Sequence, residues 1–345
     1  MSNDETVTTA SSPEVVLQAT GLHKNFVTKR SAFGRPTERL HAVTDVSLTL
    51  RKGETLALVG ESGSGKSSTA RVLTQLEAAD AGSVEVLGED WTALKGKNLR
   101  TKRRRMQMVF QDPFASLNPM KMVVFNVGEP LITHLGLRGT ALDDRVLELL
   151  DLVGLQSTAL HRYPHEFSGG QRQRIAIARA LAVNSEIIIA DEAVSALDVS
   201  TQAQILNLLK DIQAERDLSF LFITHDLGVV RQVADSIAVM YLGRIVESGT
   251  ADDIFDDPKH PYTQALLAAV PEVSGARRRQ RPVIDGERPS PTKLPPGCAF
   301  ASRCPIAVPE CKETHPEFTI RAGRLTACHL VEDTQKVLRN GAVTG

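Results

Sequence analysis

Two short segments constrain this chain more than anything else in its sequence: Gly60-Glu61-Ser62-Gly63-Ser64-Gly65-Lys66-Ser67 and Phe167-Ser168-Gly169-Gly170-Gln171. The first has the G-x-x-x-x-G-K-[ST] form of a phosphate-binding loop. Its glycines let successive backbone N–H groups turn inward, forming an anion nest at a helix N-terminus. Lys66 then meets phosphate oxygens as a point charge, Ser67 offers its hydroxyl to Mg²⁺, and Ser68 extends the same nucleotide-binding set. The loop follows the apolar run Thr55–Val59 and precedes a helical pattern over Ser67–Leu76, the strand–loop–helix context the motif needs. The second segment is a Ser-Gly-Gly-Gln element opening a helix, with Ser168 also suited to be a plain helix cap.

Between and after these lie further signals. The run Ile187–Ala190 delivers two carboxylates, Asp191 and Glu192, to a strand end. Asp191 can hold Mg²⁺ through water, and Glu192, pointing elsewhere, can accept a proton from an attacking water. A plain N-cap is the structural alternative for such a pair. Met106–Phe110 reads as a buried strand ending at Gln111, and Phe220–Thr224 as another ending at His225. The other eight histidines occupy no comparable position.

Taken in this order, these elements resemble the ATP-binding cassette family. The resemblance implies an α/β P-loop NTPase: a RecA-like parallel-sheet core, an antiparallel β subdomain and a helical lobe at about residues 112–165. It makes Glu192 the general base and His225 the γ-phosphate switch. Gln111 becomes the residue touching Mg²⁺ and the attacking water, alongside Ser67 and Asp191 as metal ligands. Phe26, in Lys24-Asn25-Phe26, falls where the family stacks an aromatic ring on adenine, although the same ring could be core. Ser168, Gly169, Gly170 and Gln171 are implied to act in trans, on ATP held by an opposing subunit, with Ser195, Ala196, Leu197 and Asp198 crossing that interface. Two departures are visible: Phe167 stands where leucine is usual, and Ala193-Val194 where Pro-Thr is common. Neither touches the chemistry.

Coarse patterning agrees with alternating strands and helices around a parallel sheet. Val15–Phe26 reads as a strand, Thr28–Arg39 as a loop, and Val43–Leu50 as an antiparallel strand with one wet face. Ser83–Leu87 and the stretch before Trp91 look like edge sheet, and Pro113–Leu155 like a helical lobe broken by glycines. Helices are expected over Ser168–Val183 and Thr201–Glu215, with core strands over Glu186–Ala190 and Ser219–Thr224. The cassette is assigned to residues 14–257, an extension to 258–330 and a tail to 331–345, with 277–297 as an extended linker. Residues 1–13 are polar, Ser/Thr-rich and expected to be disordered.

A net charge of −1 provides no global field to recruit nucleic acid or anionic lipid. The local basic clusters at Lys102–Arg105 and Arg277–Arg281 read as solvated faces or as docking contacts. No charge-free stretch is long enough for a transmembrane helix, and the N-terminus has no apolar core for a secretion signal. A cytosolic protein, held at the cytoplasmic face of the membrane only through partners, is expected.

The C-terminal texture is different. Prolines crowd, and all four cysteines fall at 298, 304, 311 and 328. Clustered thiols in a cytosolic protein suggest a shared ligand rather than disulfides. Cys298, Cys304, Cys311 and Cys328 could ligate a 4Fe-4S cluster or Zn²⁺, or remain free structural thiols. The segments His260–Leu267, Pro289-Ser290-Pro291 and Gly297–Pro305 resemble the extension on ATPase subunits of oligopeptide and dipeptide importers. Ala32–Pro36 and Asp191–Ser200 look like the second, F-type subunit of such importers. That implies a heterodimer with another ATPase, two permease subunits, an extracytoplasmic solute-binding protein and hydrolysis of Mg-ATP. Relatives carry nickel chelates or other small solutes instead; a soluble cassette ATPase acting on DNA or ribosomes is the reading from another class.

Overall fold

The computed structural model describes residues 14–112, 116–269 and 286–331. The expected disorder of 1–13, the 277–281 basic cluster, the first part of the linker and nearly all of the 331–345 tail lie outside the described residues.

Two sheets organise the chain. The smaller is antiparallel, in the order β2-β1-β4-β5, formed by β1 (Val15–Arg30), β2 (Pro36–Arg51), β4 (Ala81–Val86) and β5 (Glu89–Asp90). The expected loop over Thr28–Arg39 is a correction: β1 and β2 are one long hairpin whose turn is confined to Ser31–Arg35. Cross-strand pairing of Lys29 with Glu38 at 2.9 Å and a turn glycine at φ 74° (Gly34) support the outer strand ends, Val27–Arg30 and Pro36–Arg39, which lie largely in water on both faces. Their polarity conceals them from a search for alternation.

The larger sheet runs β11-β12-β10-β9-β3-β8-β7-β6. Its parallel part comprises β3 (Thr55–Val59), β6 (Met106–Val109), β7 (Ile187–Asp191), β8 (Ser219–Thr224) and β9 (Ser236–Tyr241). Every residue of β3, β7 and β8 is buried, as strands covered on both faces require. β6 is the exception to expectation. It forms the sheet edge, with only Met106 and Val109 buried and Phe110 well exposed.

Helix Lys66–Leu73 packs between the two sheets, where Ala70, Val72 and Leu73 join Leu17, Val43, Leu56 and Leu58 in one apolar cluster. A second cluster unites the other face of the sheet with helices Val123–Leu135, Thr140–Leu152 and Gly169–Leu181. The basic cluster at Lys102–Arg105 makes ion pairs within the fold, Lys102 with Glu89 and Arg105 with Glu186.

The C-terminal region is built into the same architecture. β10 (Arg244–Thr250) is followed by helices Ala251–Asp256 and Pro261–Ala268. The hairpin of β11 (Thr319–Arg321) and β12 (Arg324–Thr326) then extends the larger sheet at β10, with Glu247 opposite Thr326. Tyr241, Tyr262 and Phe300, all essentially buried, form a third core between the strands and the extension. No described helix is long and apolar enough to cross a membrane.

A candidate nucleotide-hydrolysing site at the strand ends

Four neighbouring parallel strands, β3, β8, β7 and β6, terminate at one edge of the sheet, the position at which parallel α/β sheets place ligands. Their register determines which side chains meet. Val59 lies opposite Thr224, Asp191 opposite Ile223, and Val109 opposite Ala190. One or two residues further along each strand come Gly60, His225, Glu192 and Gln111, which therefore converge.

The phosphate loop curls from β3 into helix Lys66–Leu73. Gly65 is at φ 110°, and a Cβ there would lie 2.2 Å from the Ala42 carbonyl oxygen, so the tight turn admits only glycine. Lys66 is 4% exposed, and its Nζ donates to the carbonyl oxygens of Gly60 at 2.8 Å and Glu61 at 3.0 Å. Burial holds its pKa below the usual lysine range, while the Glu192 and Asp191 charges act the other way. The ammonium therefore lies inside the loop, where it could meet an anion.

Ser67 Oγ donates to Asp191 Oδ1 at 3.0 Å. Asp191 is 7% exposed, and burial raises its pKa. A hard cation held by these two oxygens would relieve that desolvation, and oxygen donors are what Mg²⁺ selects. The pair fits the ion.

Glu192 adopts a left-handed backbone, φ 49°, which turns its side chain away from that of Asp191. Its Oε2 accepts from Gln111 Nε2 at 2.8 Å, and its Oε1 lies 3.2 Å from His225 Nδ1. The glutamate side chain is 13% exposed, so one carboxylate at the edge of water is held between an amide and an imidazole. Such a group can orient a water and take its proton.

Ser168 caps helix Gly169–Leu181: its Oγ accepts from Gln171 N–H, and Gln171 Oε1 accepts from Ser168 N–H at 3.0 Å. The segment Ser195–Asp198 lies beside it. A Cβ on Gly169 would be 3.6 Å from Leu197 Cδ2, and one on Gly170 would be 2.3 Å from Thr201 Cγ2. Asp198 caps the next helix, Val199–Arg216, and hydrogen bonds from Ser200 and Thr201 hold its carboxyl far below the usual range. Ser168, Gln171, Ser195, Ala196 and Asp198 are exposed, so both segments share one open surface. Phe26 is half-buried against the core between the sheets, with Lys24 Nζ 5.3 Å from its ring centroid.

The four cysteines line one small cavity with His260, Phe300 and Ala301, of about 20 Å³. Burial pushes Cys304 up to about 12 and Cys328 up to about 11, with smaller contributions from the neighbouring cysteines. Burial favours the protonated thiol at these two, and metal binding there would have to displace the protons. As the side chains stand, no group of three or more His, Cys, Asp or Glu among the described residues could hold a metal ion. Four thiols are donors of the kind that zinc and iron–sulfur sites use, but the side chains are not assembled here as a ligand set.

The residue patterns did not single out Tyr262, Arg288 and Arg303, which touch the phosphate loop from the extension. Arg303 is 242 residues from its partner Glu61, and no local spacing announces such a contact.

Residues 43–195 match the ABC transporter family, and residues 246–311 match the oligopeptide/dipeptide transporter C-terminal region. The chain is 48% identical over 326 residues to the oligopeptide transport ATP-binding protein AppF of Bacillus subtilis (strain 168), covering 93% of this chain and 99% of that protein. It is 45% identical over 324 residues to the dipeptide transport ATP-binding protein DppF of Escherichia coli (strain K12), covering 94% and 97% respectively. Among solved structures, it is similar to the dimeric post-hydrolysis state of the ATP-binding cassette MJ0796 bound to ADP and Pi. The TM-score is 0.61 at 31% identity, over 68% of this chain and 98% of that one.

Proposed function

The chain belongs to the ABC transporter ATP-binding family, in the branch carrying the oligopeptide/dipeptide transporter C-terminal region, and on that basis we propose that it is the ATP-hydrolysing subunit of a peptide importer. The observation that carries the enzymatic part is the Gln111–Glu192–His225 cluster at the carboxyl ends of adjacent parallel strands, beside Asp191 and the Ser67 that pairs with it from the first turn of helix Lys66–Leu73.

In this reading the loop N–H groups and Lys66 bind the triphosphate, and Phe26 contacts the adenine. Ser67, Asp191 and Gln111 would hold Mg²⁺, which when bound offsets charge on the β- and γ-phosphate oxygens. Glu192 accepts the proton of the attacking water. Gln111 and His225 fix the direction of that carboxylate, and His225 reaches the γ-phosphate.

The exposed Ser168–Gln171 and Ser195–Asp198 segments suit an opposing ATPase subunit, and a heterodimer is the assembly proposed. Two permeases and a solute-binding protein complete it, placing this chain at the cytoplasmic face of the membrane. Cys298, Cys304, Cys311 and Cys328 are proposed ligands of a 4Fe-4S cluster, with Zn²⁺ as the alternative, acting to fix the extension. The cargo class follows the relatives, whose names specify oligopeptides and dipeptides; nickel chelates are the alternative cargo.

Uptake tests the proposal. Vesicles containing the permeases, binding protein and both ATPases should accumulate labelled dipeptide only with ATP inside, and Lys66→Ala should stop it. Uptake that persists in Lys66→Ala, or none for any peptide, would contradict it.

A further inference from the structure

The extension grips the phosphate loop chiefly at Glu61. Glu61 N–H donates to Tyr262 Oη at 2.9 Å, and its carboxylate accepts both arms of Arg303, at 3.1 and 3.2 Å. Arg303 is 11% exposed, and its guanidinium also donates to Tyr241 Oη at 3.3 Å. Arg288 adds a contact to the Ser62 carbonyl oxygen. Tyr262, Tyr241 and Phe300 pack on one another with ring centroids 4.6 to 5.5 Å apart, so the grip is anchored in a buried aromatic core.

A carboxylate within a phosphate-binding loop poses an electrostatic problem. Glu61 lies between Gly60 and Gly63, where the backbone must face a triphosphate, and its charge is felt at Lys66. Unpaired, it would repel that anion. A two-armed arginine contact both neutralises the carboxylate and fixes its direction.

We infer that Arg303 is a positioning residue for nucleotide binding. From the extension, it cancels the Glu61 charge and holds the phosphate loop in its receptive shape. The cysteine-bearing region therefore contributes to nucleotide affinity through the residue immediately before Cys304. This inference rests on the ATP-site reading above.

The test is charge suppression. Mg-ATP dissociation constants are measured by equilibrium dialysis on the full-length chain, for wild type, Arg303→Met, Glu61→Gln and the double variant, with Lys66→Ala as control. Arg303→Met should weaken Mg-ATP roughly threefold to tenfold, because a partly buried charge is left uncompensated. Adding Glu61→Gln should restore affinity to within about twofold of wild type, a rescue that a merely structural arginine would not allow. Arg303→Lys, which keeps the charge but loses one arm, should be intermediate and is informative if Arg303→Met does not fold. Wild-type affinity in both Arg303 variants, or a loss that Glu61→Gln leaves unrelieved, overturns the inference. Wild-type protein that binds no better than Lys66→Ala would instead contradict the nucleotide site itself.

Discussion

On the proposed mechanism, replacing Glu192 by Gln removes the base while leaving its surroundings nearly unchanged. The amide has the same shape, and each of its ends still has a partner. Gln111 Nε2, 2.8 Å from Oε2, can donate to the amide oxygen, and the amide nitrogen can turn to His225 Nδ1, now 3.2 Å from Oε1. Asp191 and Ser67, which are hydrogen-bonded to each other, keep their own contact. Nucleotide binding should therefore survive, with the Mg-ATP dissociation constant within a few-fold of wild type. Proton acceptance is lost, and general-base catalysis contributes on the order of 10²–10⁴-fold, or roughly 3–5 kcal/mol of barrier. Phosphate release by the assembled transporter at saturating ATP should fall by that factor, and ATP should accumulate in closed dimers. Turnover within twofold of wild type, at unchanged affinity, would refute the assignment of Glu192 as base.

Ser168→Asp should separate capping from trans recognition. Aspartate caps a helix as well as serine, so the melting temperature should stay near wild type, while in the proposed dimer the added charge would oppose a γ-phosphate on the other subunit. ATP-driven dimerisation in a Glu192→Gln background, read by light scattering, should be lost, and undiminished dimerisation would contradict the head-to-tail arrangement. Substitutions at Gly170 are less informative, because a Cβ there collides with Thr201. His260, fully buried with its Nδ1 accepting from Tyr262 N–H, has its pKa pushed down to about 3 by burial. The unfolded chain protonates this group near pH 6.5 and the folded chain does not, so its stabilisation is complete above that pH and falls as the pH drops towards 3. Between pH 7.5 and 5 the loss is about 2 kcal/mol. Buried Glu247, whose carboxyl is pushed up, acts in the opposite sense, so the check is a comparison. The urea-derived stability of wild type should lose more over that range than His260→Gln does, and parallel curves would exclude the effect. Anaerobically purified protein should be brown, with iron and sulfide near four each per chain. Colourless protein with one zinc favours the alternative, and metal-free protein with four titratable thiols removes both.

The convergence of Gln111, Asp191, Glu192 and His225 beside the phosphate loop was legible because it is built from local signals. Each element is a short apolar run followed by the reactive residue, and parallel register brings those ends together without further information. The Gln111–Glu192 hydrogen bond follows directly from Val109 lying opposite Ala190. What stayed hidden depends on tertiary context. The outer end of the β1–β2 hairpin, within Thr28–Arg39, is too polar to read as strand, and β6 has the composition of a buried strand although it forms an edge. The attachment of the extension was also concealed. Three-residue strands carry almost no periodicity, so the β11–β12 hairpin joining β10 leaves no signal in the sequence. Arg303 and Tyr262 look like ordinary residues of a proline-rich segment until the fold sets them against Glu61.

The central claim joins ATP hydrolysis to peptide import, and its most direct test is the ATPase rate of the complete complex with and without peptide-loaded binding protein. The rate should rise when peptide-loaded binding protein is added, and Glu192→Gln in this chain should remove most of that rise. Hydrolysis that proceeds at one rate with or without peptide, or a peptide response unaffected by Glu192→Gln, would contradict the account.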